Sequence, residues 1–274
     1  MKKNNQNLIV KLLVSLIIIE SIVVFLLLRP EVPKYTPKKI PKTKKVSPAV
    51  LQPVVVKGRI AIVLDDWGYN LNNLAVLKQI KSPLTLSILP NLAYSKEISE
   101  RMHNLKYQII LHLPMEPKEK LRLENNTIMA SMSEDTIRNI MNDDLNNIVY
   151  AKGISNHMGS NVTRDARVIS VIFGELKKRG LFFLDSYVSN ESVCSDMASK
   201  MGVGFIRRDI FLDNKNEPEY IRSQLYKLKS KAKIYGYAVG IGHDRRTTLE
   251  VLKEVMPELE KEGYKFVYLS ELVN

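Results

Sequence analysis

The sequence predicts an α/β protein: a distorted (β/α) barrel of seven or eight parallel strands, preceded by one N-terminal transmembrane helix and a Pro/Lys-rich stalk. Three observations carry this expectation. From residue 58 onward a short apolar strand, a polar tip and an amphipathic helix recur, the pattern of a mostly parallel sheet with right-handed crossovers. An almost unbroken apolar run occupies residues 12–28. Between the two lies a segment too rich in proline and lysine to pack a core. The chain divides accordingly into 1–29, a membrane anchor; 30–57, a linker; and 58–274, the folded domain.

The run LLVSLIIIESIVVFLLL, extended back to Leu8, is long enough as a helix to cross a hydrocarbon core about 30 Å thick. Lys11 can snorkel to the interface, whereas Glu20 sits mid-run and is expected to be protonated or paired with a partner helix. A cleaved signal peptide would carry a shorter apolar region followed by small residues; here Arg29-Pro30-Glu31 follows. More lysines follow the run than precede it, so the positive-inside bias alone would favour a cytoplasmic domain. Pro30, Pro33, Pro37, Pro41, Pro48 and Pro53 give the linker an extended, polyproline-like character.

The net charge of +12 is concentrated in that linker: residues 1–57 hold 11 basic and 2 acidic side chains, leaving 30 and 27 for the remainder. A nearly neutral domain without a basic stripe argues against nucleic-acid binding. The linker charge suits anionic headgroups or wall polymer, or a self-repelling spacer. The single Cys194 excludes an intrachain disulfide and a multi-cysteine zinc site, and reads as a small buried residue.

Within the domain the strands are expected at 59–64, 84–89, 108–113, 153–156, 181–185, 203–208, 236–242 and 265–269. Helices are expected over Asn70–Ile80 and Ser95–Leu105. Another follows Ser131-x-x-Glu134, a capping-box pattern, and ends near Ala151; Thr163, Glu217 and Thr247 open three more. A closed or distorted barrel and an open doubly wound sheet both satisfy the pattern. The polar stretch 114–130 is long enough to be a substrate-facing insertion.

Polar residues gather at the C-terminal ends of the strands, the face that carries active sites in parallel α/β folds. Asp65-Asp66 ends the first strand, His112 the third with Glu116 beyond it, Asn156-His157 the fourth, Asp185 the fifth and His243 the seventh. Three of the four histidines occupy such ends; His103 lies in a helix and is assigned to solvent. Each histidine alone is as well read as structural, but three on one face beside a carboxylate pair point to a metal or acid–base site. Adjacent residues of a strand point to opposite sides. Two useful carboxylates therefore require a bend, which Gly68 is expected to supply. Two histidines and one aspartate leave an open position on a tetrahedral zinc.

At these residues the sequence resembles the divergent polysaccharide deacetylase family, a branch of the polysaccharide deacetylase superfamily. The matching stretches are IAIVLDDWGYN, LTLSILPN, IILHLPMEP, GISNHMGSNVT, LFFLDSYVS and AVGIGH, which in order and spacing cover nearly all of 58–274. The resemblance implies a metal-dependent hydrolase that removes acetyl groups from a cell-wall or extracellular glycan such as peptidoglycan. It implies Asp65 as catalytic base, Asp66 and His112 as ligands of a divalent metal, most readily zinc, and His243 as the acid for the leaving group. Where the superfamily has a second histidine after the third strand, this chain has Glu116, so either Glu116 or His157 completes the metal site; His157 is preferred. Asn156 and Glu116 are otherwise placed near substrate. Asp185 orients His243, contacts sugar, or caps the helix near Ser192.

The superfamily's Arg-Pro-Tyr segment is missing. An inactive glycan- or wall-enzyme-binding module on the same fold is therefore the alternative. A phosphoesterase, with Arg207, Arg208, Arg245 and Arg246 near suitable strand ends, is a weaker one. The resemblance also places the domain outside the cytoplasm, in the periplasm or cell wall, on a single-pass membrane protein.

Overall fold

The computed structural model describes residues 2–28 and 56–273, the first stretch with side chains only at 14–16 and 18–28. It forms two units, Met1–Leu51 and Gln52–Asn274. In the first, helix α1 (Lys2–Leu27) covers the apolar run, and the side chains of Ile18, Ile22, Phe25 and Leu26 are exposed. Among the described residues no helix is long and apolar enough to cross a membrane; the expected span also includes side chains outside them. The expected stalk falls almost wholly on residues 29–55, which lie outside the described residues.

The second unit is an α/β half-barrel. Its strands are β1 (Gly58–Trp67), β2 (Thr85–Ile88), β3 (Gln108–Met115), β4 (Gly153–Met158), β5 (Phe182–Asp185), β6 (Phe205–Arg207), β7 (Ile210–Phe211), β8 (Tyr237–His243) and β9 (Tyr264–Val267). Eight of them run in the order β6-β5-β4-β3-β2-β1-β8-β7, with β9 on β1, and every pairing is parallel. The distortion has a local cause. The two outer strands of that order are consecutive in the chain. Between them the Arg208 N–H donates to Asp185 O on β5, and the next N–H, that of Asp209, donates to Val239 O on β8. One extended segment thus takes its hydrogen bonds from both sides in turn.

Alternation along β1 sorts the core. Ile60, Ile62 and Leu64 join the cluster between sheet and helices. The smaller Ala61 and Val63 face the barrel interior with Ile110, Leu184, Val239 and Ile241. The C-terminal turn closes the strand-start end of that interior: Leu269 and Leu272 enter the inner cluster, the Leu269 N–H donates to Thr85 Oγ1 and the Ser270 N–H to Gln108 Oε1.

The helices are α2 (Leu74–Leu77), α3 (Ser95–Asn104), α4 (Glu134–Asn147), α5 (Ala166–Arg179), α6 (Cys194–Met201), α7 (Pro218–Tyr235) and α8 (Arg246–Lys261). Several begin elsewhere than the sequence suggests. Asn70 Oδ1 accepts from the Asn72 N–H, an Asx turn that holds 70–72 out of α2. The cap of α4 is Ser133, not Ser131: Ser133 is extended and its Oγ accepts from the Thr136 N–H. The cap of α5 is Asp165, which accepts from the Arg167 and Val168 N–H groups, while the Thr163 hydroxyl donates to Gly159 O one turn earlier. Ser133→Ala is expected to cost about 1 kcal/mol, measurable as a lower midpoint in urea unfolding with an unchanged slope.

Asp144, on α4, is fully buried. Its Oδ1 accepts from Asn91 Nδ2, and its Oδ2 has no hydrogen-bond partner among the described residues. Burial raises its pKa to about 7, with the Asn91 bond opposing and Asp143 adding to the shift. A carboxyl with a raised folded-state pKa contributes stability that is full below its unfolded value and is lost as pH rises towards 7. Asp144→Asn should therefore flatten the fall in unfolding free energy between roughly pH 4 and 7, an effect of a few kcal/mol. Unfolding titrations at several pH values check it.

Candidate metal centre

The strand ends build the site. Asp65 and Asp66 become usable together because the chain turns at Asp66 itself, whose φ is +66°. The register of β1 against β2 slips between Leu64 and Trp67 at the same place. The expected hinge, Gly68, continues the turn with φ +133°, and a Cβ there would lie 2.9 Å from Ser95 Oγ, so it also permits close approach of α3. Asn91, Met158 and Tyr187 also have positive φ, just beyond β2, at the end of β4 and just beyond β5. A left-handed conformation costs a non-glycine residue roughly 1–2 kcal/mol. Its repetition at four strand ends gathers backbone strain on one face of the fold.

His112 and His157 share a face because of register. On the β3·β4 pair His112 lies opposite Ser155 and Pro114 opposite His157, so the histidines are two steps apart on the inward side. His112 Nε2 and His157 Nδ1 are each 3.3 Å from Asp66 Oδ1 and 3.2 Å from one another. A tetrahedral zinc with ligands at about 2.0–2.1 Å has donor–donor edges of about 3.3 Å. The three donors thus form one triangular face of such a site, with a position left open. Burial opposes ionisation of Asp66, but hydrogen bonds from His112 and His157 hold its carboxyl well below the usual range. These three residues can hold a divalent ion.

Asp65 stands next to this triangle, its Oδ2 3.7 Å from His112 Nε2. It is 2 % exposed, and its Oδ1 has no hydrogen-bond partner among the described residues. Burial raises its pKa, with His112 opposing and Asp66 adding. An orphaned buried carboxylate oxygen is costly, and its place beside three metal-type donors suits a group that receives a proton from a water held there.

His243 pairs with Asp65 across β1·β8. Its Nδ1 bonds Asp213 Oδ1 at 2.7 Å, and Asp213 Oδ2 accepts from the His243 N–H and the Thr248 hydroxyl. Burial disfavours the imidazolium, but Asp213, then Asp65 and Asp66, raise its pKa above the ordinary value.

The remaining sequence candidates are arranged differently. Glu116 Oε2 accepts from the Ala130 N–H and from Asn161 Nδ2, tying down the far end of the 114–130 stretch. Asn156 Nδ2 donates to Met158 O, and its Oδ1 accepts from the Ser186 N–H, fixing the adjacent ends of β4 and β5. Asp185 accepts from the Tyr187 N–H and the Ser192 hydroxyl and caps no helix: Ser192 Oγ, not Asp185, takes the Cys194 N–H at the start of α6; the carboxylate on His243 is Asp213. His103 stacks on Tyr150 with centroids 4.0 Å apart. Cys194 is buried, and burial pushes its thiol up to about 12.

Sequence reasoning missed Asp213, because the strand before it is two residues long. It also missed the pair of serines behind His112. His112 Nδ1 lies 2.8 Å from Ser155 Oγ, which lies 2.7 Å from Ser87 Oγ, an arrangement that fixes the ring for ligation through Nε2.

The cleft measures about 200 Å³ and is bounded by Asp65, Asp66, His112, His157 and His243 together with Asn156, Met158, Ser186, Val188 and Phe211. None of these is a lysine or an arginine. Arg208 stacks on Phe211 and donates to Ser186 O and Tyr187 O, and Arg245 donates to Asp213 O. Arg207 lies over the Tyr187 ring and Arg246 pairs with Glu250, so each of the four arginines that a phosphate reading invokes already has a partner.

The chain is similar to known proteins over most of the folded domain. The uncharacterized protein YibQ of Escherichia coli K12 is 33% identical over 220 residues, covering 80% of this chain and 69% of that protein. An uncharacterized Haemophilus influenzae protein is 30% identical over 206 residues, covering 75% and 74%. The crystal structure of the uncharacterized protein ATU2773 from Agrobacterium tumefaciens shares the fold, with a TM-score of 0.76 at 20% identity over 79% of this chain and 89% of that one. The model of the divergent polysaccharide deacetylase family matches residues 62–273, a span that contains every strand end of the site, and the chain belongs to that family.

Proposed function

We propose that this protein is a membrane-tethered, metal-dependent hydrolase that removes acetyl groups from an extracytoplasmic glycan such as peptidoglycan. The observation that carries the reading is the donor triangle of Asp66, His112 and His157, with edges of 3.2–3.3 Å, beside the buried carboxylate of Asp65. Asp66, His112 and His157 hold the ion, and zinc suits two imidazoles and a carboxylate. Such an ion, when bound, acidifies a water and polarises the acetyl carbonyl.

Asp65 accepts the proton of that water as its oxygen bonds to the acetyl carbon. His243, whose imidazolium form Asp213 favours, gives a proton to the nitrogen as the carbon–nitrogen bond breaks, leaving acetate and a free amine. Asn156 and Phe211 shape the wall against the acetylated sugar. The apolar run at 12–28 anchors the chain, and the Pro/Lys-rich linker presents the domain to the wall.

The test is acetate release from peptidoglycan and chito-oligosaccharides by the full chain in detergent, loaded with zinc or cobalt. Release that disappears in Asp65→Asn supports the reading. A metal-loaded protein that releases no acetate from any acetylated glycan, while still binding one, would make it a binding module instead.

A further inference from the structure

The near-neutral charge of the domain conceals a segregation that appears only in three dimensions. All strands are parallel, so the strand starts and helix ends share the rim opposite the cleft. Several final turns at that rim carry bases: Lys177, Lys178 and Arg179 on α5, Lys200 on α6, Lys233 on α7 and Lys261 on α8, the last beside Glu258 and Glu260, while α4 ends without one. The helix dipole accounts for a base or two at each such end. It does not account for the exposed lysines in the connections, Lys57, Lys78, Lys81, Lys106 and Lys152.

Nor does it account for the apolar side chains beside them. Leu105 is 52% exposed, Ile234 71% and Tyr235 68%. Two neighbouring clefts, of about 440 and 250 Å³, open on this rim and share Lys106, Tyr107 and Tyr268. The first is walled by Lys78, Lys81, Leu84 and Leu105, and the second by Tyr150 and Lys152. Of the acids nearby, Glu262 pairs with Lys229, Glu260 accepts from the Ser82 hydroxyl and Glu271 from the Tyr268 N–H, and Glu258 is exposed; the lysines named outnumber these four.

We infer that this rim rests on an anionic phospholipid bilayer, with the lysines on headgroup phosphates and Leu105, Ile234 and Tyr235 in the interfacial layer. Exposed ammonium groups interleaved with aliphatic and phenolic side chains match that surface in charge and polarity. The chain also enters the domain here. The Lys57 N–H donates to Gly263 O and the Arg59 N–H to Gly236 O, and the sequence leading to that point is lysine-rich and, further upstream, apolar. β1 runs from Gly58 at this rim to Asp65 in the cleft, roughly 23 Å at the strand rise. The docked domain would hold its site open away from the lipid, towards polymer.

The inference is independent of the deacetylase reading. Cys194 is buried, so full-length Leu105→Cys and Tyr94→Cys can each be labelled at one exposed thiol with a polarity-sensitive fluorophore. The labelled proteins are reconstituted into phosphatidylcholine vesicles with and without phosphatidylglycerol. The expected result is a blue shift at position 105 only, only with phosphatidylglycerol, reversed by high salt and lost in Lys78→Glu/Lys81→Glu/Lys106→Glu that still melts as the parent does. A water-like signal at 105 in anionic vesicles, equal shifts at both positions, or the same shift with soluble polyphosphate overturns it. Resistance to alkaline carbonate extraction reads the anchor separately, and acetate release reads the chemistry.

Discussion

His157→Ala is expected to lower zinc affinity by at least about 100-fold, while Glu116→Gln leaves it within a few-fold of the parent. His157 Nδ1 lies 3.3 Å from Asp66 Oδ1 and 3.2 Å from His112 Nε2, whereas Glu116 spends its carboxylate on the Ala130 N–H and Asn161. Removing one of three protein ligands should cost more than the 10–100-fold loss typical of the groups that orient ligands. Ser155→Ala belongs to that milder class: it frees His112 Nδ1 and should cost roughly 10–100-fold. Competition against a chromogenic chelator measures all three without reference to activity. Equal losses in the His157 and Glu116 variants would mean that the site rearranges around the ion, and a larger loss at Glu116 would reassign the third ligand.

Asp213→Asn should lower kcat for acetate release by about 100-fold or more, within the range ascribed to a positioned proton donor, with a smaller change in KM. The reason is its grip on His243: one oxygen bonds Nδ1 and the other takes the backbone N–H of the same residue. An acid works while it is protonated, so activity falls as pH rises through its pKa. Asp213 raises that pKa; without its charge the alkaline limb should move to lower pH. A variant that merely loosens the fold would lose activity at all pH values without moving the limb. Asp185→Asn is the control, because Asp185 bonds Tyr187 and Ser192 and should leave the limb in place.

Much of the architecture was legible along the chain. Apolar runs with polar tips located all eight expected strands, and the rule that chemistry sits at strand ends drew out Asp65, Asp66, His112, His157 and His243. That information is local: it depends on which residue types follow a strand, and a strand announces itself within a few residues.

What the tertiary structure decided depends on groups far apart in sequence. Asp66 takes a left-handed conformation ahead of Gly68, where α3 and the residue after β2 pack against the turn. His157 rather than Glu116 meets His112, because β3 and β4 pair in one register and no other. Asp213 reaches His243 across thirty positions, and the lysines of separate connections collect on one rim. None of these is written in a neighbouring residue. Each follows from parallel pairing, which brings every strand end to one face and every helix end to the other, so that sequence names the groups while register and topology choose which of them meet.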